Sequence, residues 1–336
     1  MHDQTLERRQ FLKSLGIVAT GVVLGRSGAV LGQSATSLGS ASVPQRKFGR
    51  HDFTLSALGL GGHALASAAS EAESMRIVDE AIAAGINFMD NAWDYHNGRG
   101  EEVMGRVLKG RRDKVFLMTK LCTHGKGGRK EVMQFLDQSL QRLQTDHLDL
   151  WQLHAVATMA QVEHAFNGGV IEAMEEARKQ GKVRFLGFTG HTEPDVHLAM
   201  LAHKYPFDTC QFPLSPIDAN SDAFQRKVLP EVLKQGIAPL AMKTLGGNAS
   251  SINDGVMTVQ EALRYTLTLP VALIVSGIAS VEQLRQNAQI AKEFAPMKAE
   301  EMVALEQRCR SAAEGQKYEP YRKWTGYQDG DSIRYV

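Results

Sequence analysis

Cysteine is scarce in this 336-residue sequence: only Cys122, Cys210 and Cys309 occur. They are far apart and form no C-x-x-C pair. That argues against a disulfide framework or a cysteine-bound metal and leaves them as structural thiols. An excess of one charge is also lacking. The 38 Lys and Arg nearly balance the 37 Asp and Glu, for a net charge of +1, so neither nucleic-acid binding nor a charged interaction tail is indicated. Beyond the first 45 residues no apolar run is long enough to cross a membrane. No serine or cysteine stands with an evident base, and no carboxylate pair of the glycosidase kind is present. Glu101 and Glu102 read as the first turn of a helix, where acidic side chains suit the dipole. What is there is ordinary: 43% hydrophobic and 22% charged residues, enough for one large domain or two small ones.

The front end differs from the rest. Arg8-Arg9-Gln10-Phe11-Leu12-Lys13 precedes an apolar, Gly/Ala/Val-rich stretch from Leu15 to Leu31 and a small-residue segment from Gln33 to Val43. A basic, then apolar, then small-residue order is that of a secretory signal, and the paired arginines resemble a twin-arginine signal. Its glycines and Arg26 weaken the apolar stretch as a stable membrane span, and no cysteine is near to accept a lipid. The expectation is export through the twin-arginine machinery to the periplasm, with cleavage near Ala41. Residues 1–45 are then signal and linker.

After Gln45, eight strand-like runs alternate with helical patterns. The runs are Leu55–Leu60, Ile86–Met89, Val115–Thr119, Leu148–Leu153, Val183–Phe188, Asp208–Phe212, Ile237–Met242 and Ala272–Ser276. Eight such units in about 250 residues predict a (β/α)8 barrel over residues 46–315. A doubly wound open sheet would need a Gly-rich turn opening directly into a helix. Gly59-Leu60-Gly61-Gly62 fails as that fingerprint, with about ten residues before the next helical pattern. Arg46–Phe53 suits a hairpin plugging the barrel bottom, and Ala299–Ala313 an extra helix. The tail, residues 316–336, shows no regular period and is open to draping over the barrel or fraying.

Three consecutive runs end in different ionisable residues: Asp90, Lys120 and His154, with Tyr95 five residues after Asp90. In a barrel the strand C-termini converge on one mouth, where chemistry sits. A lysine facing inward is costly to bury unless paired, and Asp90 on the neighbouring strand is its natural partner. A phenol with an ordinary pKa near ~10 donates a proton poorly at neutral pH. A neighbouring ammonium favours its ionised form, and an imidazole can polarise a carbonyl. Taken singly, each residue has a structural explanation; together they describe a proton-transfer site for carbonyl chemistry.

Asp90-Asn91-Ala92-Trp93-Asp94-Tyr95, Met118-Thr119-Lys120 and Asp149-Leu150-Trp151-Gln152-Leu153-His154 resemble the aldo-keto reductase superfamily. The resemblance runs from Arg46 to about Phe294. It implies Tyr95 as general acid, Lys120 and Asp90 tuning it, and His154 orienting a small-molecule carbonyl substrate. The implied cofactor is NADPH, with NADH more open than usual. Thr189 stands for a serine that contacts the nicotinamide carboxamide, Gly190 for an asparagine, with His191 beside it. Gln211 matches the carboxamide-binding glutamine, Met242 replaces a stacking aromatic ring, and Lys243-Thr244-Leu245-Gly246-Gly247 resembles the pyrophosphate loop. Gly277, Gln283 and Asn287 match the adenosine end. Ala279 and Gln283 stand where a basic residue commonly grips the 2′-phosphate, leaving Arg285 as the nearest cation. Some relatives carry a C-terminal iron–sulfur module, but no cysteine cluster follows Cys309. Two rivals are a nicotinamide-binding barrel with little turnover and a lyase or isomerase barrel; the latter leaves Gln211 and the 243–247 loop without purpose.

Overall fold

The computed structural model describes residues 42–123, 125–221, 223–247 and 249–323. The proposed export signal and the distal tail lie outside the described residues. Within them, a hairpin of β1 (Gln45–Lys47) and β2 (Thr54–Ser56) precedes eight parallel strands that close into a barrel. These are β3 (Leu58–Gly61), β4 (Phe88–Asp90), β5 (Phe116–Leu121), β6 (Leu148–Leu153), β7 (Val183–Thr189), β8 (Thr209–Pro213), β9 (Ala238–Met242) and β10 (Leu273–Gly277). Closure pairs Ile274 with Leu58 and Gly277 with Gly61. Helices follow each strand, so the chain is a (β/α)8 barrel.

Local chemistry sets the repeats. Ser70, Thr158, Thr258 and Ser280 each accept a hydrogen bond from the third residue beyond, fixing the start of a helix. Gly85, with φ +84°, ends the helix Glu71–Ala83, and Ile86 N then donates to Ala81 O. A left-handed residue at this position turns the chain back toward the sheet at no cost to glycine.

Three elements depart from the sequence reading. Leu55–Leu60 is not one strand: Leu55 belongs to the hairpin and Leu58 to the barrel. Between them Ser56 Oγ donates to Leu58 O and accepts from Asn87 N, taking up backbone groups at the bend. A four-residue helix, Gly62–Leu65, opens at once after β3. The connection after β6 holds two helices, Met159–Asn167 and Val170–Lys179. The first, broken from the second by Gly168-Gly169, buries only Val162 and Ala165, too few apolar positions for its period to stand out.

The hairpin does plug the bottom. Phe48 and Leu55, with Phe53 against them, join Phe88, Phe116, Phe185, Leu240 and Leu273 in one apolar cluster. Phe48 lies 5.5 Å from Phe116 and 5.4 Å from Phe185, ring centre to ring centre. The tail drapes as far as it is described: Tyr318, Glu319, Tyr321 and Arg322 are buried, and Arg322 pairs with Asp218 and Glu319.

Candidate active site

Strand order places the ends of β4, β5 and β6 side by side. Lys120, 1% exposed, donates from Nζ to Asp90 Oδ2 at 2.6 Å, to Asn91 O at 2.7 Å and to Tyr95 Oη at 3.2 Å. Burial pushes the ammonium's pKa below that of an ordinary lysine, and the Asp90 carboxylate works against that fall. Asp90, Lys120 and Tyr95 therefore form one hydrogen-bonded chain. His154 stands at the side of Tyr95, ring centres 5.7 Å apart and nearly perpendicular.

The backbone carrying these groups is strained and braced. His96 and Asn97, after Tyr95, and Ala155, after His154, all have left-handed φ angles. Such residues cost on the order of 1–3 kcal/mol each and persist where the surroundings over-determine them. Here His63 O is 2.9 Å from His96 Nε2, Ala155 N donates to Thr189 Oγ1 at 3.0 Å, and Val156 N donates to Thr189 O at 2.8 Å. Beneath the Tyr95 loop, fully buried Glu101 accepts from Thr119 Oγ1 at 2.6 Å and Arg142 Nη1 at 3.2 Å. Burial raises its pKa, partly offset by Thr119, Ser139 and Arg142. Glu101 is in the first helical turn, as read from the sequence, and also braces that helix against the strand carrying Thr119.

A cavity of about 520 Å³ opens beside Tyr95 and runs to Ala279. Of the residues singled out in the sequence, Asp90, Tyr95, Gln211, Met242, Lys243, Leu245, Gly246 and Gly277 line it. Gln211 Oε1 is buried there with no hydrogen bond among the described residues. Three other residues expected at the cofactor make hydrogen bonds within the chain. Thr189 is fully buried and holds the turn after His154. Gln283 Oε1 accepts from Ala279 N at 2.8 Å, capping its own helix start. Asn287 donates to Ser276 Oγ at 3.0 Å, bracing a lining residue from behind. Arg285 is engaged by Glu80 through two 2.7 Å bonds and so is not free to serve at Ala279.

The structure explains the glycine at 190: a Cβ there would lie 2.5 Å from both His197 Cε1 and Val156 O. His191 lines the cavity instead, and burial, then Lys243, holds its pKa well below the usual imidazole value. Sequence reasoning missed His63, which lines the cavity with its ring 5.2 Å from that of Tyr95. It also missed Asp94, whose Oδ1 lies 3.2 Å from His154 Nδ1. Burial raises the Asp94 pKa, but His154, the residue's own backbone N–H and Lys120 together outweigh it and the carboxyl sits below its ordinary value. The available signal was its position directly before Tyr95. Cys122, two residues beyond Lys120, was read only as a structural thiol.

These features have counterparts among known proteins. The pattern of the aldo/keto reductase family matches residues 57–257, more than half of the chain. The uncharacterized oxidoreductase YqkF of Bacillus subtilis is 26% identical over 292 residues, spanning 74% of this chain and 90% of its own. The 6-dehydroglucose reductase of Novosphingobium aromaticivorans is 30% identical over 60% of this chain and 69% of that protein. An aldo-keto reductase from Bacillus halodurans, solved in its holo form, superposes with TM-score 0.65 at 26% identity, over 84% of this chain and 99% of that one. An aldo/keto reductase from Klebsiella pneumoniae, solved with NADP and acetate, gives TM-score 0.63 at 25% identity, over 79% and 95%.

Proposed function

The chain belongs to the aldo/keto reductase family and is an NAD(P)-dependent oxidoreductase; on that premise we propose that it reduces an aldehyde or ketone with NADPH, Tyr95 acting as general acid. The observation that carries this reading is the chain Asp90–Lys120–Tyr95, with 2.6 and 3.2 Å links. As the carbonyl oxygen gains charge, the Tyr95 hydroxyl gives it a proton. Lys120 stabilises the phenolate left behind, and Asp90 keeps that ammonium charged and in place. His154, held on its Nδ1 side by Asp94, directs its other ring nitrogen to the carbonyl oxygen.

The residues fit a nicotinamide cofactor. The buried Gln211 Oε1, with no hydrogen bond among the described residues, suits a carboxamide N–H. Met242 offers an apolar, polarisable face, and Lys243, Leu245, Gly246 and Gly277 line the way to the adenosine end. A bound NADPH supplies the hydride that the carbonyl carbon receives. The NADP in the Klebsiella protein favours that form, while Ala279 and the engaged Arg285 favour modest selectivity over NADH. The test is a carbonyl panel run with both cofactors on the parent and on Tyr95→Phe. The variant is expected to bind cofactor like the parent, as read by NADPH fluorescence, and to lose turnover. Turnover within tenfold of the parent removes Tyr95 from this role.

We further propose that Arg8-Arg9 directs folded export, so that the barrel works in the periplasm after cleavage near Ala41. Changing both arginines to lysine is expected to leave the protein in the cytoplasm. Unchanged fractionation of that variant overturns the proposal.

A further inference from the structure

Asp94, Cys122 and His154 meet in three dimensions although 28 and 32 residues separate them along the chain. One carboxylate oxygen, the thiol sulfur and one imidazole nitrogen all lie within 4.8 Å of one another. All three residues are buried, at 9%, 3% and 5% exposure. Each belongs to the turn that ends one of three adjacent strands, β4, β5 and β6, so a continuous sheet stands behind the cluster. Asp94 Oδ2 is buried with no hydrogen bond among the described residues, and Cys122 is not in a disulfide. A buried carboxylate oxygen left without a donor is rare in a folded protein and points to a missing partner.

We propose that Asp94, Cys122 and His154 form a binding site for a divalent cation of the zinc type, at the barrel mouth beside Tyr95. The donor set selects the ion. Thiolate and imidazole favour zinc, cobalt and copper, whereas magnesium and calcium take oxygen ligands. Bonds of about 2.0–2.3 Å in a tetrahedron place ligand atoms about 3.3–3.8 Å apart. A cluster spanning up to 4.8 Å closes onto an ion by rotamer adjustment of roughly 1 Å. Three protein ligands leave a fourth position to water, the open arrangement of reactive metal sites rather than the closed one of structural sites. Binding forms a sulfur–metal bond and releases the thiol proton to solvent.

The same closure moves the His154 ring away from where it meets the carbonyl. A displacement of about 1 Å in such a group costs on the order of 10²-fold in rate. The ion therefore acts as a reversible inhibitor of carbonyl reduction, exerted through His154.

The test uses the full chain, freed of metal with a chelator and titrated with Co²⁺. The parent is expected to develop a thiolate-to-cobalt charge-transfer band at one equivalent, displaced by Zn²⁺ and unaffected by Mg²⁺. Cys122→Ala is expected to lose the band and to weaken binding by at least the ~100-fold that outer partners of such sites already command. Cys309→Ala, altering a buried cysteine elsewhere, is expected to keep both. No band in the folded parent, or a band that survives in Cys122→Ala, overturns the site. Turnover of the parent is expected to fall in step with cobalt occupancy and to return with chelator, while Cys122→Ala keeps its metal-free rate throughout. Full occupancy with unchanged turnover overturns the coupling to His154. The cobalt spectrum needs no substrate, so it stands apart from any failure of the reductase reading.

Discussion

The two ends of the barrel are built from opposite chemistry. At the bottom, Phe48, Phe53, Phe88, Phe116 and Phe185 close the strands with rings, and the polar groups there are spent on structure. Arg46 donates to Leu267 O and Val271 O, and Arg50 to Phe207 O and Asp208. At the mouth, an ammonium, three carboxylates and several imidazoles are buried with strained turns between them, and Gln211 Oε1 and Asp94 Oδ2 have no hydrogen bonds among the described residues. One end lowers its free energy by burying apolar area; the other forgoes part of that gain to hold groups ready for a ligand. Stability and reactivity are thus separated along the barrel axis, with the chemistry at the C-terminal face of the strands as this architecture commonly has it.

Lys120→Met is the hardest blow to the comparison. It is expected to lower turnover by roughly 10²–10⁴-fold through the lost support of the acid. It also leaves Asp90 as an uncompensated buried charge, at about 3–5 kcal/mol of stability. Adding Asp90→Asn should recover much of the stability by denaturant unfolding and none of the turnover. Recovery of turnover in the double variant would mean that the pair acts only as structure. Phe48→Ala attacks the other end. It is expected to cost about 3–5 kcal/mol on unfolding, with kcat and KM of the folded fraction within about twofold of the parent. A selective loss of kcat there would show that the two ends are coupled.

Legibility in the sequence follows the same division. The barrel was readable because each parallel strand is buried on both sides and shows as a short apolar run, with a glycine such as Gly85 ending the helix before it. Tyr95, Lys120, Asp90 and His154 were readable because each ends or follows such a run. What was hidden depends on contacts between distant segments. Nothing in the local pattern tells that Thr189 holds the turn after His154, that Glu80 takes Arg285, or that Asp94 faces His154. The split of Leu55–Leu60 was hidden because both halves are apolar and only Ser56, hydrogen-bonded across the bend, marks it.

Acid should open the mouth side first. His197, beside Gly190 and among Phe188, Phe212 and Phe224, is fully buried, and burial lowers its pKa to about 4 against small opposing pulls from backbone carbonyls. The unfolded chain takes up a proton near pH ~6.5 and the folded chain does not. Stability is therefore whole above ~6.5 and falls as pH drops toward about 4. This one group accounts for about 3 kcal/mol over that window. His197→Leu is expected to flatten the acid limb of unfolding free energy against pH. An unchanged limb would place the acid sensitivity elsewhere.

The smallest effect expected sits at the far end of the cavity, where the mouth gives way to ordinary surface. Ala279 lines that end and carries no charge, Gln283 is turned back to cap its helix, and Arg285 is held by Glu80. A charge-assisted hydrogen bond to a 2′-phosphate is worth roughly 1.5–3 kcal/mol, and about 1.4 kcal/mol is tenfold in affinity. Without that contact, preference for NADPH over NADH should be tens or less. Ala279→Arg should tighten NADPH about tenfold and leave NADH within about twofold, as read from the pair of dissociation constants. Glu80→Gln offers a second route to the same end, since it releases Arg285 from its two carboxylate bonds and should raise NADPH affinity by a smaller factor. A parent that already prefers NADPH a thousandfold would place the phosphate against another cation. Lys243 is a cation on the lining, and the reading of Ala279 as the open end of the site would then fail.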